Sequence, residues 1–250
     1  MEGADAHETF CVHWFLVGSS NHNDCGAIRC SSSPSYIFVT PIPNAPFNGT
    51  IHVERTLVHP DGSITSLRTI RDIHRDSRGR IYNEARELLP ASSSAVPEII
   101  NVLLYNPETR TSTTLNPHQK TFRSNTANRP PATEPPVFNH ASPTANSPQN
   151  EFIRQEDLGT REMDGISVHG IRETQTISVE KDGTEKQIVV TDEYWYSADL
   201  HINMAIKHDD PRTGSVAMTV TGVTRTEPDP TVMGIPEGYQ RAEVVQKANQ

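Results

Sequence analysis

Apolar and polar residues alternate along much of this sequence with a period of two. In the clearest run, from residue 50 to residue 57, Ile51, Val53 and Leu57 are separated by polar residues. A second run has the same pattern at Leu200, Ile202, Met204 and Ile206. Alternation of this kind predicts strands with one buried face and one solvated face.

Tight turns separate these runs. Asp-Gly pairs, which between two strand-like runs are typical of hairpins, occur at residues 61–62, 164–165 and 182–183. Long strands in one sheet coil, so the predicted fold class is mainly β, a curved antiparallel, half-barrel-like meander of about ten strands. The predicted strands are 50–57, 63–76, 80–88, 98–105, 110–115, 154–163, 166–179, 187–196, 200–207 and 216–225.

The chain is predicted to form a single β domain flanked by tails. Its two halves are separated by a segment with six prolines, which predicts an unpacked linker or insertion. The last dozen residues, from Gly238, could form a short helix. The predicted boundaries are a disordered tail at 1–44, the first half of the domain at 45–123, the insertion at 124–150, the second half at 151–236 and a C-terminal tail at 237–250.

Composition narrows the classes of function. Hydrophobic residues make up 34% of the 250 residues and the formal net charge is −9. No apolar run approaches the length of about 18 residues that a membrane-spanning helix needs. An acidic chain is also a poor partner for nucleic acid, because basic side chains supply most of that affinity. The prediction is a protein that neither spans a membrane nor binds nucleic acid.

One cluster of basic residues stands out against this acidic background. Acidic residues are interleaved with it, which favours ion pairs on a solvated strand face. The alternative is a site for an anion or a lipid headgroup. The cluster consists of Arg68, Arg71, Arg75, Arg78, Arg80 and Arg86.

No pattern in the sequence indicates catalysis or a cofactor. The histidines have no metal-binding spacing, and Cys11, Cys25 and Cys30 match no zinc motif. No nucleophile stands in a recognisable catalytic context. We therefore expect no enzyme activity, no metal and no cofactor; a hydrolase with an unrecognised site is the alternative.

The N-terminus does not indicate the cellular location of the protein. The first eight residues contain three acidic residues and no basic one, so no signal peptide is recognised. If the protein is exported, the expectation is an incorrect or degraded start, with the mature domain beginning near residue 40.

Several stretches resemble a family of uncharacterised exported bacterial proteins. More distantly, their order resembles the half-barrel of periplasmic lipoprotein carriers and sorting factors. The resemblance implies a curved sheet with an open hydrophobic cavity, a periplasmic or secreted location and no catalytic residues. The stretches are PFNGTIHVERTLVHPDGS (46–63), RDSRGRIYNEAREL (75–88), LLYNPETRTSTTLNP (103–117), EDLGTREMDGISVHGIRET (156–174), EYWYSADL (193–200), KHDDPRTG (207–214) and TRTEPDPTVMGIPEGY (224–239).

Two functions compete on this basis. One is a non-catalytic envelope module that binds a lipid or another apolar ligand; the other is a structural β domain that binds a protein partner. A carrier leaves a cavity of several hundred Å³, whereas a scaffold packs the same residues to interior density. The predicted ligand-binding residues are Ile51, Val53, Leu57, Leu103, Trp195, Ile202, Met204 and Val220.

Overall fold

The structure, a computed structural model, describes residues 36–128, 153–181 and 184–242. These residues contain thirteen strands and no helix. The strands are β1 Phe47–Val58, β2 Ile64–Arg75, β3 Ile81–Arg86, β4 Leu89–Pro90, β5 Ile99–Asn106, β6 Thr111–Asn116, β7 Thr121–Thr126, β8 Ile153–Met163, β9 Ile166–Lys181, β10 Thr184–Ser197, β11 Ile202–Asp210, β12 Gly214–Thr224 and β13 Gln240–Arg241.

All thirteen strands belong to one sheet. Its order is β13-β7-β6-β5-β3-β2-β1-β12-β11-β10-β9-β8, and β4 pairs with β2 beside this path. The pairs are antiparallel except for β13 with β7, which is parallel. The sheet is curved and does not close into a barrel, which confirms the predicted half-barrel fold class.

The predicted halves of the domain meet in the middle of the sheet. The first strand, β1, pairs with the last long strand, β12, over Asn48↔Thr224 to Leu57↔Gly214. The strands β2 to β7 extend outward from β1, and β11 to β8 extend outward from β12. Both halves therefore contribute to one continuous sheet.

The hairpin signals correspond to real turns wherever the structure describes them. Asp164 and Gly165 both have positive φ, 50° and 74°, as a two-residue type I′ turn requires. The Asp164 carboxylate also accepts a 2.6 Å hydrogen bond from the backbone N–H of Val223. The predicted turn at residues 182–183 lies outside the described residues, as do the three cysteines.

The structure corrects the predicted boundaries at the C-terminal side of each half. Strand β7 runs to Thr126, three residues into the segment predicted as an unpacked insertion from 124 to 150. The predicted helix after Gly238 is wrong at its start, because Gln240 and Arg241 form β13 beside β7. Residues 243–250 lie outside the described part of the chain.

The described end of the predicted N-terminal tail packs into the domain. Ile37 is 0% exposed, and Val39 forms an isolated antiparallel bridge with Ile202. Arg75 holds this segment, because its Nε donates to the carbonyl of Ala45 at 2.8 Å and its Nη1 to that of Thr40 at 2.7 Å. The ordered domain therefore includes residues 36–44, which belong to the tail that the sequence predicts to be disordered.

The core lies mainly on one face of the sheet, here called the core face. On β1 it carries Phe47, Ile51 and Val53, whose neighbours on β1 point the other way. Register places Met218 and Val220 of β12 opposite Val53 and Ile51 on the same face. A smaller cluster, Val102, Leu104 and Leu115, lies on the opposite face of β5 and β6.

Candidate functional site

Most of the predicted ligand-binding residues are packed together. Six of the eight belong to one buried cluster, with exposed fractions between 0% and 7%. They therefore form a closed core and leave no open wall at their position. These six are Ile51, Val53, Trp195, Ile202, Met204 and Val220.

The other two predicted residues, Leu57 and Leu103, remain half-buried and outside the cluster. Both lie on the core face: Leu57 continues the alternation of β1, and Leu103 pairs with Asn83, which pairs with Ile73. Leu67 of β2 is half-buried on the same face, opposite Arg55. Together with Arg71, these leucines form what we call the open strip: Leu57, Leu67, Arg71 and Leu103.

Trp195 is covered by its own chain. The guanidinium of Arg161 lies 3.5 Å from the centroid of the indole ring. The indole N–H donates to Glu193 Oε1 at 2.6 Å, and Gly170 lies against the ring on the neighbouring strand. The aromatic surface is therefore occupied by intramolecular contacts.

The basic cluster divides according to the two faces of the sheet. On the face opposite the core, Arg86 Nε donates to Glu84 Oε2 at 2.6 Å. In the turn before β3, Arg80 Nε donates to Asp76 Oδ2, also at 2.6 Å. Both arginines form ion pairs as predicted, but their partners Glu84 and Asp76 are buried, so these pairs do not lie on a solvated face. Arg68 instead donates to the backbone carbonyls of Ser93 and Ala95.

Arg71 and Arg75 face the core and have no carboxylate partner among the described residues. Arg75 is 0% exposed and is satisfied in part by backbone carbonyls, and burial lowers its pKa to about 10. Arg71 is half-buried, and burial lowers its pKa as well. Its Nε is buried without a hydrogen-bond partner in the described part of the chain.

A second polar feature of the core face is the pair of His208 on β11 and Asp192 on β10. The strands place the two residues directly opposite each other, and Nδ1 of His208 lies 2.7 Å from Asp192 Oδ1. Sequence reasoning missed this pair because the residues are sixteen positions apart and meet only through the register of the hairpin. The hydrogen bond to Asp192 raises the pKa of His208, with smaller contributions from the charges of Asp192, Asp210 and Asp209.

This pair predicts a pH dependence of stability. Because the folded-state pKa of His208 lies above its ordinary value of 6.5, the stabilisation is fully present below about pH 6.5 and is lost as pH rises through the raised pKa. The difference in free energy of unfolding between wild type and His208→Asn should therefore shrink between pH 5.5 and pH 8.5, measured by urea denaturation. His52→Asn, at an exposed position of β1, is the control that should follow the wild type. An identical pH profile in His208→Asn and wild type would contradict the assignment.

A cavity of about 270 Å³ lies at the ends of β3 and β5, under the segment that contains Met233. None of the eight predicted residues lines it. Its volume is near the lower limit of roughly 300 Å³ for small-molecule pockets. No pattern in the sequence indicates this cavity, because the cavity depends on how the loop after β12 crosses the strand ends. Its lining consists of Arg80, Ile81, Leu104, Tyr105, Asn106, Thr109, Thr111, Thr113, Met233, Gly234 and Ile235.

The described residues contain neither a cluster of metal ligands nor a helix that could span a membrane. Within residues 36–128, 153–181 and 184–242, no three His, Cys, Asp or Glu side chains converge as metal ligands. In the same ranges no helix has the length and apolar character needed to cross a membrane.

The chain is similar in structure to several solved proteins at low sequence identity. It matches MucB with 11% identity and a TM-score of 0.38, over 79% of this chain and 59% of MucB. It matches a LolA superfamily protein from Nitrosomonas europaea with 9% identity and a TM-score of 0.30, over 77% and 91% of the two chains. It matches LprF from Mycobacterium bovis with 12% identity and a TM-score of 0.28, over 74% and 90%.

A LolA superfamily protein is among these similar structures. The sequence matches no protein-family model and no curated protein. Because each TM-score lies below 0.5, the proposals below rest on the residues of this chain.

Proposed function

We propose that the protein is a non-catalytic binding module for a lipid or another apolar ligand, which lies along the open strip. One observation carries the proposal: the core face is closed only in part. Over β11 and β12 its apolar side chains are buried, with Met204 and Met218 at 0% and 1% exposure. Over β1, β2 and β5 the same face presents three half-buried leucines.

The open strip lies beside the buried core on the same face of the sheet, with the half-buried Arg55 between Val53 and Leu57. Leu57 and Leu67 lie toward one end of β1 and β2, beyond the buried Val53 and Thr69. Covering such side chains removes apolar surface from water, which contributes about 25 cal/mol for each Å². A ligand on this strip would therefore complete a core that the described residues leave partly uncovered. An envelope location belongs to the same proposal.

The competing function, a structural domain with a protein partner, is favoured by a different observation. Six of the predicted lining residues are already packed at 0% to 7% exposure, as in a scaffold. In that case a segment of another protein would cover the strip. Native mass spectrometry of protein purified from its own cells separates the two: a co-purifying lipid supports the ligand module, and a ligand-free protein that retains a protein partner supports the scaffold.

The binding proposal predicts the effect of a single substitution. Leu103→Asn should weaken the binding of Nile red, a neutral apolar dye, about five- to tenfold, since one partly buried leucine contributes on the order of 1 kcal/mol. The measurement is a fluorescence titration of each purified variant. Ile64→Asn is the matched control, because Ile64 is 65% exposed and lies on the opposite face of β2.

Two outcomes would contradict the proposal. One is that the folded wild type does not bind the dye. The other is an equal loss of affinity in Leu103→Asn and Ile64→Asn, which would place the dye elsewhere.

A further inference from the structure

We propose that the ligand is an anionic amphiphile whose carboxylate or phosphate head binds Arg71 while its apolar chain covers leucines of the open strip. This inference rests on the proposed function and adds the chemical class of the ligand. The chemistry of the head group follows from Arg71, because a guanidinium binds carboxylate and phosphate oxyanions alike. The apolar chain follows from the leucines.

The first argument is the position of Arg71. It lies on β2 opposite Ile51, between Thr69 and Ile73, which are 2% and 0% exposed. Its own side chain is half-buried, and its Nε is buried. Because Arg71, unlike Arg75, is not wholly buried, a ligand on the strip can contact its side chain.

The second argument is the absence of a competing acid. In the described structure, the core face of β1, β2, β3 and β5 carries no aspartate or glutamate. The acidic core-face residues, such as Asp192 and Asp210, lie on β10 and β11. Three strand spacings separate β2 from β11, on the order of 14 Å at about 4.8 Å each. The positive charge of Arg71 is therefore free for an external anion.

The third argument is the unsatisfied Nε of Arg71, which is buried without a partner among the described residues. A buried donor that lacks an acceptor costs free energy, and an acceptor supplied by a ligand recovers it. The planar guanidinium presents its N–H groups as a fork that matches carboxylate and phosphate oxygens. Arg75 has no such role, because it is wholly buried and donates to backbone carbonyls.

The test compares ligands that have the same chain length and different head groups. Dodecanoate and dodecyl phosphate represent the two anionic heads, 1-dodecanol is the neutral counterpart, and inorganic phosphate represents a free anion. Affinities are measured by displacement of Nile red, and for inorganic phosphate by calorimetry. The variants are Arg71→Met, which keeps an apolar stem, and Arg71→Lys, which keeps the charge. Lys207→Met is the control, because Lys207 is an exposed residue of β11 and the substitution removes the same charge.

We expect the wild type to bind each anionic chain at least tenfold more tightly than dodecanol, since hydrogen bonds to charged groups are stronger than those between neutral groups. Arg71→Met should lose this preference and retain its affinity for dodecanol. Arg71→Lys should keep part of the preference, and Lys207→Met all of it. The two anionic heads should differ in affinity if one source, fatty acid or phospholipid, is the natural one.

Other outcomes overturn the inference in distinguishable ways. Equal affinity of the wild type for dodecanol and dodecanoate removes the anionic head but leaves the proposed function intact. Failure of every chain-bearing probe to bind removes both. Inorganic phosphate that binds as tightly as dodecyl phosphate would make this a free-anion site. If Arg71→Met unfolds, the wild type is measured at 1 M salt, where charge interactions are screened. The preference for anionic chains should then be lost. A preference that persists unchanged at high salt contradicts the role of the charge.

Discussion

Replacing Gly214 with alanine is expected to lower the free energy of unfolding by about 3 kcal/mol or more. Gly214 begins β12, where it pairs with Leu57 of β1 and Asp210 of β11. Its φ is +111°, a conformation that side chains rarely adopt, and an added Cβ would overlap the backbone carbonyl of Thr56. Strands β1 and β12 would therefore have to move apart at this position. We expect a loss of about 3 kcal/mol or more, since overpacking and backbone strain each cost roughly 1–3 kcal/mol.

The control for this prediction is Gly222→Ala in the same strand. Gly222 also has positive φ, +64°, but no atom lies within 4 Å of the position that a Cβ would take. It should therefore show only the conformational penalty, about 1–2 kcal/mol. Urea denaturation followed by far-UV circular dichroism measures both. Equal losses in the two variants would show that contact with Thr56 contributes nothing.

Replacing Met204 with glutamate is expected to unfold the domain at neutral pH. Met204 is 0% exposed on β11, within the main cluster. The substitution removes a core side chain, which costs about 2–5 kcal/mol, and places an unpaired carboxylate in an apolar environment, which costs several more. Domains have a total stability of about 5–15 kcal/mol.

Met204→Leu and Lys207→Glu are the controls for this variant. The first conserves volume and should cost less than about 1.5 kcal/mol. The second introduces the same charge at an exposed position of the same strand and should leave the melting temperature nearly unchanged. A Met204→Glu variant that melts like the wild type would show that water reaches this part of the core face.

The fold could be predicted from the sequence because its signals are local. Alternation at residues 50–57 and the Asp-Gly turns define strands and hairpins over short distances, and the structure agrees with them. Strand β7 was missed because Thr121–Thr126 contains a single apolar residue, Phe122. Its pairing with β6 and β13 supplies what its own pattern does not. The burial of Ile37 depends on Arg75 and on the bridge to Ile202, which are contacts across long separations.

The candidate site was less predictable, for a reason that β2 illustrates. Its sequence, ITSLRTIRDIHR, has isoleucines on both faces, so the alternation does not show which arginines point toward the core. Register with β1 decides this by placing Arg71 opposite Ile51. The sequence also does not reveal how completely a face is covered, so buried Val53 and half-buried Leu57 look equivalent in the pattern.

The pairing of β1 with β12 has a consequence for the synthesis of the chain. On the ribosome, β1 emerges early and can form hairpins with β2, yet its other edge has no partner until residue 224 has been made. An unpaired edge with alternating apolar residues is a template for pairing with other chains. Joining segments so distant in sequence also slows folding. The nascent first half is therefore the species that a chaperone would need to protect from aggregation.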